Sequence, residues 1–203
     1  MSFKKRIAAW LRLPFVRYLI FFLSLLPLAN LVYAIFKNAL GPDPAEKLSY
    51  LTGEWALYFL FFTLAITPLS KIKGMTVIAS YRRMLGLYSF FYACLHLLVF
   101  IAVWLAWDLQ DVFVEVSERP YIAAGFVSWV LMLPLAITST RKWRQRLGKS
   151  WKKLHKAVYF AVTATLVHIV WQVRSDSGDF YFYLAVFLIL MLSRINFSVF
   201  RKQ

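Results

Sequence analysis

The sequence predicts an all-α membrane protein, a bundle of six transmembrane helices with both termini in the cytoplasm. Three observations lead to this fold class: the composition, the spacing of the apolar runs and the charge of the segments between them. Of the 203 residues, 61% are hydrophobic and 16% are charged, a far more apolar composition than that of a soluble domain. Most of the chain is therefore expected to lie in lipid.

Six apolar runs recur along the chain, and most approach the roughly 20 residues that a helix needs to cross a bilayer. The second and the sixth are the shortest. The runs are Tyr18 to Phe36, Trp55 to Leu69, Met84 to Ala106, Tyr121 to Thr140, Leu154 to Val173 and Phe180 to Ile195. Since backbone amides find no water in hydrocarbon, each run should form a helix, and the alternation of a barrel strand is not seen. The first run lacks a small-residue cleavage site, so we interpret it as a retained helix.

The charges change sign from one connecting segment to the next, although the net charge is +15. Basic residues crowd the N-terminal segment and the second and fourth loops, whereas the first, third and fifth loops are acidic or mixed. Because Lys and Arg favour the cytoplasmic side, we expect a basic cytoplasmic segment at 1–17, the six-helix domain at 18–199 and a cytoplasmic tail at 200–203. This distribution is not that of a nucleic-acid-binding surface.

The only three histidines, His96, His155 and His168, all fall in or beside membrane helices, where a titratable ring is costly and suggests a functional site. His96 and His168 lie about 12 and 14 residues from the cytoplasmic ends of their helices, about 18 to 21 Å deep. Two imidazoles at equal depth can ligate six-coordinate haem iron between the helices. The acidic residues, Glu54 among them, are assigned to outer loops, so neither a zinc site nor a carboxylate proton relay is expected at that depth.

His155 is a candidate ligand for a second haem near the cytoplasmic edge. It precedes His168 by 13 residues, which turn a straight helix by about 220°, so the two rings share a face only if the helix bends. On the third helix, Arg82 lies 14 residues before His96 and on nearly the same face. Arg82 is either a haem-propionate partner, an element of the second site, or an ordinary cytoplasmic anchor.

Two further functional classes fit an intramembrane histidine. A proton or metal transporter subunit would line a path with histidines, and a structural or assembly subunit would use them only for helix packing. Cofactor content separates these alternatives from an electron carrier.

Several stretches, taken in order, resemble the MsrQ (YedZ) family, haem-binding membrane subunits of the bacterial MsrPQ methionine sulfoxide reductase system within the ferric-reductase-like transmembrane group. They are Gly41-Pro42-Asp43-Pro44, Ile66-Thr67-Pro68-Leu69, Arg82-Arg83-Met84-Leu85-Gly86-Leu87, Leu95-His96-Leu97, Arg119-Pro120-Tyr121, Thr138-Ser139-Thr140, Leu147-Gly148-Lys149, Trp151 with Leu154-His155 and Val158-Tyr159, and His168 with Trp171. They span nearly the whole chain.

The resemblance implies a b-type haem subunit of the bacterial inner membrane that passes electrons from quinol to a periplasmic molybdopterin reductase similar to MsrP. By position, His96, His168 and His155 match the family's histidines and Arg82 its arginine. FMN is also attributed to the family, although no residues here identify a flavin site. The acidic segment from Asp108 to Glu118 is a candidate docking surface for the partner. A ferric or other metal-ion reductase of the same group would share the haem and use another acceptor.

Overall fold

The computed structural model describes residues 10–11, 13–72, 75–172 and 178–194, and the regular structure of these residues is helical. The α-helices are α1 (Pro14–Phe36), α2 (Pro44–Ser70), α3 (Arg82–Val99), α4 (Leu109–Glu118), α5 (Pro120–Ile137), α6 (Arg141–Leu147), α7 (Lys149–Leu154), α8 (Ala157–Gln172) and α9 (Gly178–Leu192). A 3₁₀ segment, Thr76–Tyr81, leads into α3, and a π-helical turn, Phe100–Trp104, extends it. The predicted all-α membrane fold is confirmed.

Among the described residues, five helical spans are long and apolar enough to cross a membrane. They are Pro14–Phe36, Pro44–Ser70, Thr76–Trp104, Pro120–Ile137 and Lys149–Gln172. The sixth apolar helix, α9, has 15 residues and is about 22 Å long, shorter than the roughly 30 Å hydrocarbon core. The sixth crossing stays a prediction, and the basic N-terminal residues 1–9, the segment 173–177 and the tail 200–203 lie outside the described residues.

Two antiparallel helix pairs, α2 with α3 and α5 with α8, are the most extensively packed elements. Apolar side chains of α2, α8 and α9 form one core cluster that includes Leu57, Phe61 and Val162. Between α3 and α5, the Trp129 indole donates a hydrogen bond to the Cys94 sulfur at 3.3 Å. The four helices thus enclose a common interior.

The bundle has two chemically distinct ends. The acidic end carries the N-terminus of α2, helix α4 and the N-terminus of α5. Its charged residues are the carboxylates Asp43, Glu46, Asp108, Asp111, Glu115 and Glu118 and the cations Lys37, Lys47 and Arg119. The basic end carries the segment before α3 and the short helices α6 and α7, with Lys71, Arg82, Arg83, Arg141, Lys142, Arg144, Arg146, Lys149, Lys152, Lys153 and Lys156. The loops that alternate in charge along the sequence therefore lie at opposite ends of the bundle.

A tyrosine hydroxyl of α3 bonds to α1 at the turn where Pro27 interrupts the helical hydrogen bonds. Pro27 lies inside α1, and a proline disturbs the helical hydrogen bonds around it. The Tyr92 hydroxyl donates to the Ser24 carbonyl at 2.8 Å and accepts from the Leu28 N–H at 3.2 Å. Tyr92 is only 1% exposed, so this bridge satisfies backbone groups that would otherwise stay unpaired in lipid.

Helix α2 begins eleven residues earlier than the apolar run predicts, at Pro44 rather than Trp55. Asp43 caps it by accepting a hydrogen bond from the Glu46 N–H at 2.9 Å, and Pro44 suits the first helical position. The assignment of Glu54 to a loop is therefore wrong. Hydropathy missed this part of the helix because polar residues occupy its first three turns.

Candidate cofactor site

The His96 side chain, near the end of α3, packs against the beginning of α2. Its Nδ1 lies 2.9 Å from the Ser49 carbonyl oxygen and 3.3 Å from the Thr52 hydroxyl. A carbonyl oxygen only accepts, so Nδ1 carries the proton and Nε2 keeps its lone pair. A Cβ built on Gly53 would lie 3.1 Å from the His96 ring, so the glycine makes room for the imidazole.

The His168 side chain, near the end of α8, packs in the same way against the beginning of α5. Its Nδ1 lies 2.6 Å from the Tyr121 carbonyl oxygen. A Cβ on Gly125 would lie 2.9 Å from Nδ1 of His168. This fit is tighter than that of His96, and again Nε2 is left as the free ligand nitrogen.

The two arrangements are related by a fixed offset in sequence. Adding 72 to the numbers of Ser49, Gly53 and His96 gives Tyr121, Gly125 and His168, and both hydrogen bonds span 47 residues. The same offset relates a second pair of contacts, in which the donor and acceptor helices are exchanged. Ser89 of α3 donates to the Ala56 carbonyl of α2 at 2.8 Å, and Ser128 of α5 donates to the Ala161 carbonyl of α8 at 2.9 Å. The pairs α2/α3 and α5/α8 are therefore structural repeats of parallel type.

The repeats bring the two imidazoles close together in the interior, in an edge-to-face arrangement. The ring centroids of His96 and His168 are 6.2 Å apart, with an interplanar angle of 76°. The structure places the two rings next to each other, as the expected bis-histidine site requires. Since an imidazole nitrogen lies about 2 Å from a metal ion that it ligates, two rings on opposite sides of one ion have centroids about 6 Å apart. The observed separation and the free Nε2 atoms fit a bis-histidine haem.

His155 lies at the basic end, at the break between α7 and α8. Its Nδ1 donates to the Trp151 carbonyl at 3.0 Å, and the Trp151 indole stacks on the ring at 3.9 Å. Its Nε2 is buried and has no hydrogen-bond partner among the described residues, so this nitrogen is available to a ligand. In a straight helix His155 and His168 would point to different faces. The break between α7 and α8 lifts this constraint on a second site.

Arg82 is the first residue of α3 and is exposed at the basic end. The repeat offset of 72 relates His155 to Arg83 and Leu154 to Arg82. Neither arginine forms an ion pair within the described part of the chain. The structure thus places Arg82 at the same end as His155 and does not bring the two side chains into contact.

Glu54 lies at the level of His96, since its neighbour Gly53 touches the His96 ring. The expectation that no carboxylate occurs at that depth is therefore wrong. The described residues nevertheless contain no group of three or more His, Cys, Asp or Glu side chains that could hold a metal ion, so Glu54 completes no zinc site. Its position follows from the capped start of α2, which a hydropathy window does not detect.

The comparisons with known proteins agree with this geometry. The family model described as ferric reductase like transmembrane component matches residues 52–166, which places the chain in that class of membrane proteins. A relative from Xanthomonas euvesicatoria pv. vesicatoria (strain 85-10), named protein-methionine-sulfoxide reductase heme-binding subunit MsrQ, is 42% identical over 158 residues, 78% of this chain and 72% of its own.

A protein of the same name from Polaromonas naphthalenivorans (strain CJ2) is 39% identical over 190 residues, 92% of this chain and 86% of its own. The chain therefore belongs to the MsrQ family. No solved structure matches it.

Proposed function

We propose that this chain is a b-type haem subunit that passes electrons from membrane quinol across the bacterial inner membrane to a periplasmic, MsrP-like molybdopterin reductase. The observation that carries the proposal is the facing pair His96 and His168, each with Nδ1 bonded to a backbone carbonyl. Metal-ligating histidines typically donate their second ring N–H in this way. Bound haem supplies a one-electron redox centre.

The chain's own residues hold and insulate that centre. Ser49 and Tyr121 fix the ring orientations through their carbonyls, and Gly53 and Gly125 leave space for the rings. The apolar cluster around Leu57 and Val162 keeps water from the interior. Orientation, burial and hydrogen bonding of this kind tune the potential of a haem.

The orientation that we propose places the basic end in the cytoplasm and the acidic end in the periplasm. The support is the concentration of Lys and Arg at one end, as the bias of basic loops toward the cytoplasm requires. His96 and His168 then lie toward the periplasmic side. The acidic positions of α4, whose first turn is capped by Asp108, would face a periplasmic partner, and α4 is its proposed docking surface.

A second haem at His155 extends the proposal. The buried, unpaired Nε2 and the stacked Trp151 support it, and Arg82 at the same end is the proposed partner of a propionate. Two centres at opposite ends would let electrons cross the hydrocarbon in steps. FMN remains an expectation of the family resemblance, and we assign no residues to it.

The test is the reduced minus oxidised visible spectrum of the purified protein with a pyridine haemochrome count. We expect a b-type α band in the wild type and its loss in His96→Ala and in His168→Ala, because each variant removes one axial ligand. Trp171→Phe is the matched control: Trp171 lies three residues beyond His168 on α8, is 55% exposed and should leave the band unchanged.

The acceptor is tested separately. Quinol-reduced protein should be reoxidised by an MsrP-type reductase supplied with methionine sulfoxide, and not by ferric chelates, which a metal-ion reductase would use. Folded wild-type protein without haem after haem-replete expression would contradict the electron-transfer proposal and favour a transporter or packing role for the histidines.

A further inference from the structure

The partly buried carboxylate of Glu54 lies in the acidic half of the bundle, and three phenols bond to one of its oxygens. Oε1 of Glu54 accepts hydrogen bonds from the hydroxyls of Tyr58 at 2.5 Å, Tyr50 at 3.2 Å and Tyr183 at 3.2 Å. Tyr50, Glu54 and Tyr58 follow one another at intervals of four on one face of α2, whereas Tyr183 comes from α9 and is 7% exposed. The carboxylate joins α9 to α2.

This position is costly and is not explained by helix capping. Glu54 lies ten residues after the start of α2, about 15 Å along the helix axis. Apart from Glu46 and Glu54, helices α1, α2, α3, α5 and α8 contain no Asp or Glu. An ionisable side chain inside a membrane is by default a functional site.

The location of Glu54 next to the histidine pair suggests its role. Gly53, which precedes it, packs against His96, so the carboxylate and the proposed haem lie on different faces of the same turn of α2. A haem accepts electrons only, whereas oxidation of a hydroquinone also releases protons. A quinol donor therefore needs a base near the electron acceptor, inside the hydrocarbon where water is scarce.

We propose that Glu54 is the proton acceptor for a hydroquinone that is oxidised at the His96–His168 site, with the hydroxyls of Tyr58 and Tyr183 holding the carboxylate in place. The hydroquinone loses both O–H protons and two electrons and becomes a quinone. A haem held by His96 and His168 would take the two electrons one at a time, and the reductase partner would withdraw the first electron before the second is transferred. This inference rests on the proposed function, which names quinol as the donor, and it narrows that function: the electrons enter at the acidic-end histidine pair and reach the partner from that end without passing His155.

The proton leaves Glu54 toward the acidic end. Tyr50 lies one turn nearer the start of α2, bonds to the same carboxylate oxygen and is 48% exposed. Transfer along this face returns Glu54 to its ionised form before the second proton arrives. Within the described residues the titratable groups around Glu54 are Tyr50 and Tyr58 from α2 and Tyr183 from α9.

The experiment compares wild type, Glu54→Gln and Glu46→Gln as haem-loaded full chains in nanodiscs, using a short-chain ubiquinol in stopped flow. We expect Glu54→Gln to lower the rate of quinol-driven haem reduction about 100-fold, the scale of a lost general base, and to abolish the rise of the rate with pH. Dithionite reduction should be unchanged. Glu46→Gln is the matched control, because Glu46 lies two turns nearer the helix start on the same helix and is exposed.

A second measurement follows the proton itself. Time-resolved infrared difference spectra during quinol-driven haem reduction should show a transient carboxylic acid C=O band in the wild type that is absent from Glu54→Gln. Glu54→Asp, which keeps a carboxylate, should restore both the band and the pH profile. This rescue separates proton transfer from a purely structural role in joining α9 to α2.

The two proposals fail in different ways. If quinol reduces Glu54→Gln at the wild-type rate with the wild-type pH profile, Glu54 is not the acceptor, and the quinol-linked function stands. If quinol does not reduce wild-type haem that dithionite reduces, the quinol donor is wrong and this inference falls with it. Slow reduction of Glu54→Gln with an unchanged pH profile and unchanged infrared spectra also overturns the inference, because the slowing is then structural.

Discussion

The helix pairs α2/α3 and α5/α8 hold their histidines in the same way. Each presents a backbone carbonyl and a glycine, four residues apart on its first helix, to a histidine on its second helix. The surroundings of the two pairs differ. Thr52 and Glu54 of α2 lie beside His96. At the basic end, His155 precedes α8 at the position that Arg83 occupies in the α2/α3 repeat. The repeated features, a carbonyl, a glycine and a histidine, are those that hold an imidazole ligand. The features that differ indicate separate roles for the two helix pairs.

The largest expected effect of these comparisons is on haem content, and it tests the difference between His155 and Arg83 at the basic end. His155→Ala removes the buried Nε2 that has no partner among the described residues. We expect the haem-to-protein ratio to fall by about half and one of two potentials in a redox titration to disappear. Arg83→His places a histidine at the equivalent position and should leave the count unchanged, since Arg83 is exposed. An unchanged count in His155→Ala would assign this histidine to packing against Trp151.

The next effect compares the two glycines. Gly125→Ala places a methyl group 2.9 Å from Nδ1 of His168, whereas Gly53→Ala places one 3.1 Å from the His96 ring. Overpacking of this kind costs about 1 to 3 kcal/mol, so both variants should bind haem more weakly, Gly125→Ala more so. Haem titration of the apoprotein measures the order. Equal affinities would show that the backbone relaxes equally in both repeats.

The smallest expected effect is on the stability of the two helix pairs, through Ser89 and Ser128. Ser89→Ala removes the bond to Ala56, and Ser128→Ala removes the bond to Ala161. Each substitution should cost about 1 kcal/mol of stability, and the effects should add because the sites belong to different helix pairs. Denaturation in mild detergent with increasing SDS provides the measurement. A strongly non-additive double variant would show that the two repeats unfold as one unit.

Most of the fold could be predicted from sequence because hydrocarbon leaves a backbone few choices. Apolar runs in lipid must become helices, and five of the six expected runs coincide with spans that meet the length and hydropathy for crossing. The helix break at His155 and the amphipathic helix α4 were not predicted. Helix α4 depends on local backbone geometry, since Ala106 and Trp107 have φ of 46° and 69° just before the Asp108 cap. A hydropathy window is insensitive to such geometry and to the end of α7 at Leu154.

The sequence by itself determined the membrane class, the alternation of charge and the similar distances of His96 and His168 from the ends of their helices, since rise per residue and side-chain polarity are local properties. Only the tertiary structure decided which atoms each ring contacts, that Gly53 and Gly125 make room for the rings, and that Glu54 lies within three phenols beside the site. These facts depend on how helices far apart in sequence pack together. The repeat of 72 residues was present in the sequence throughout, but the packed rings were needed to reveal which residues it relates.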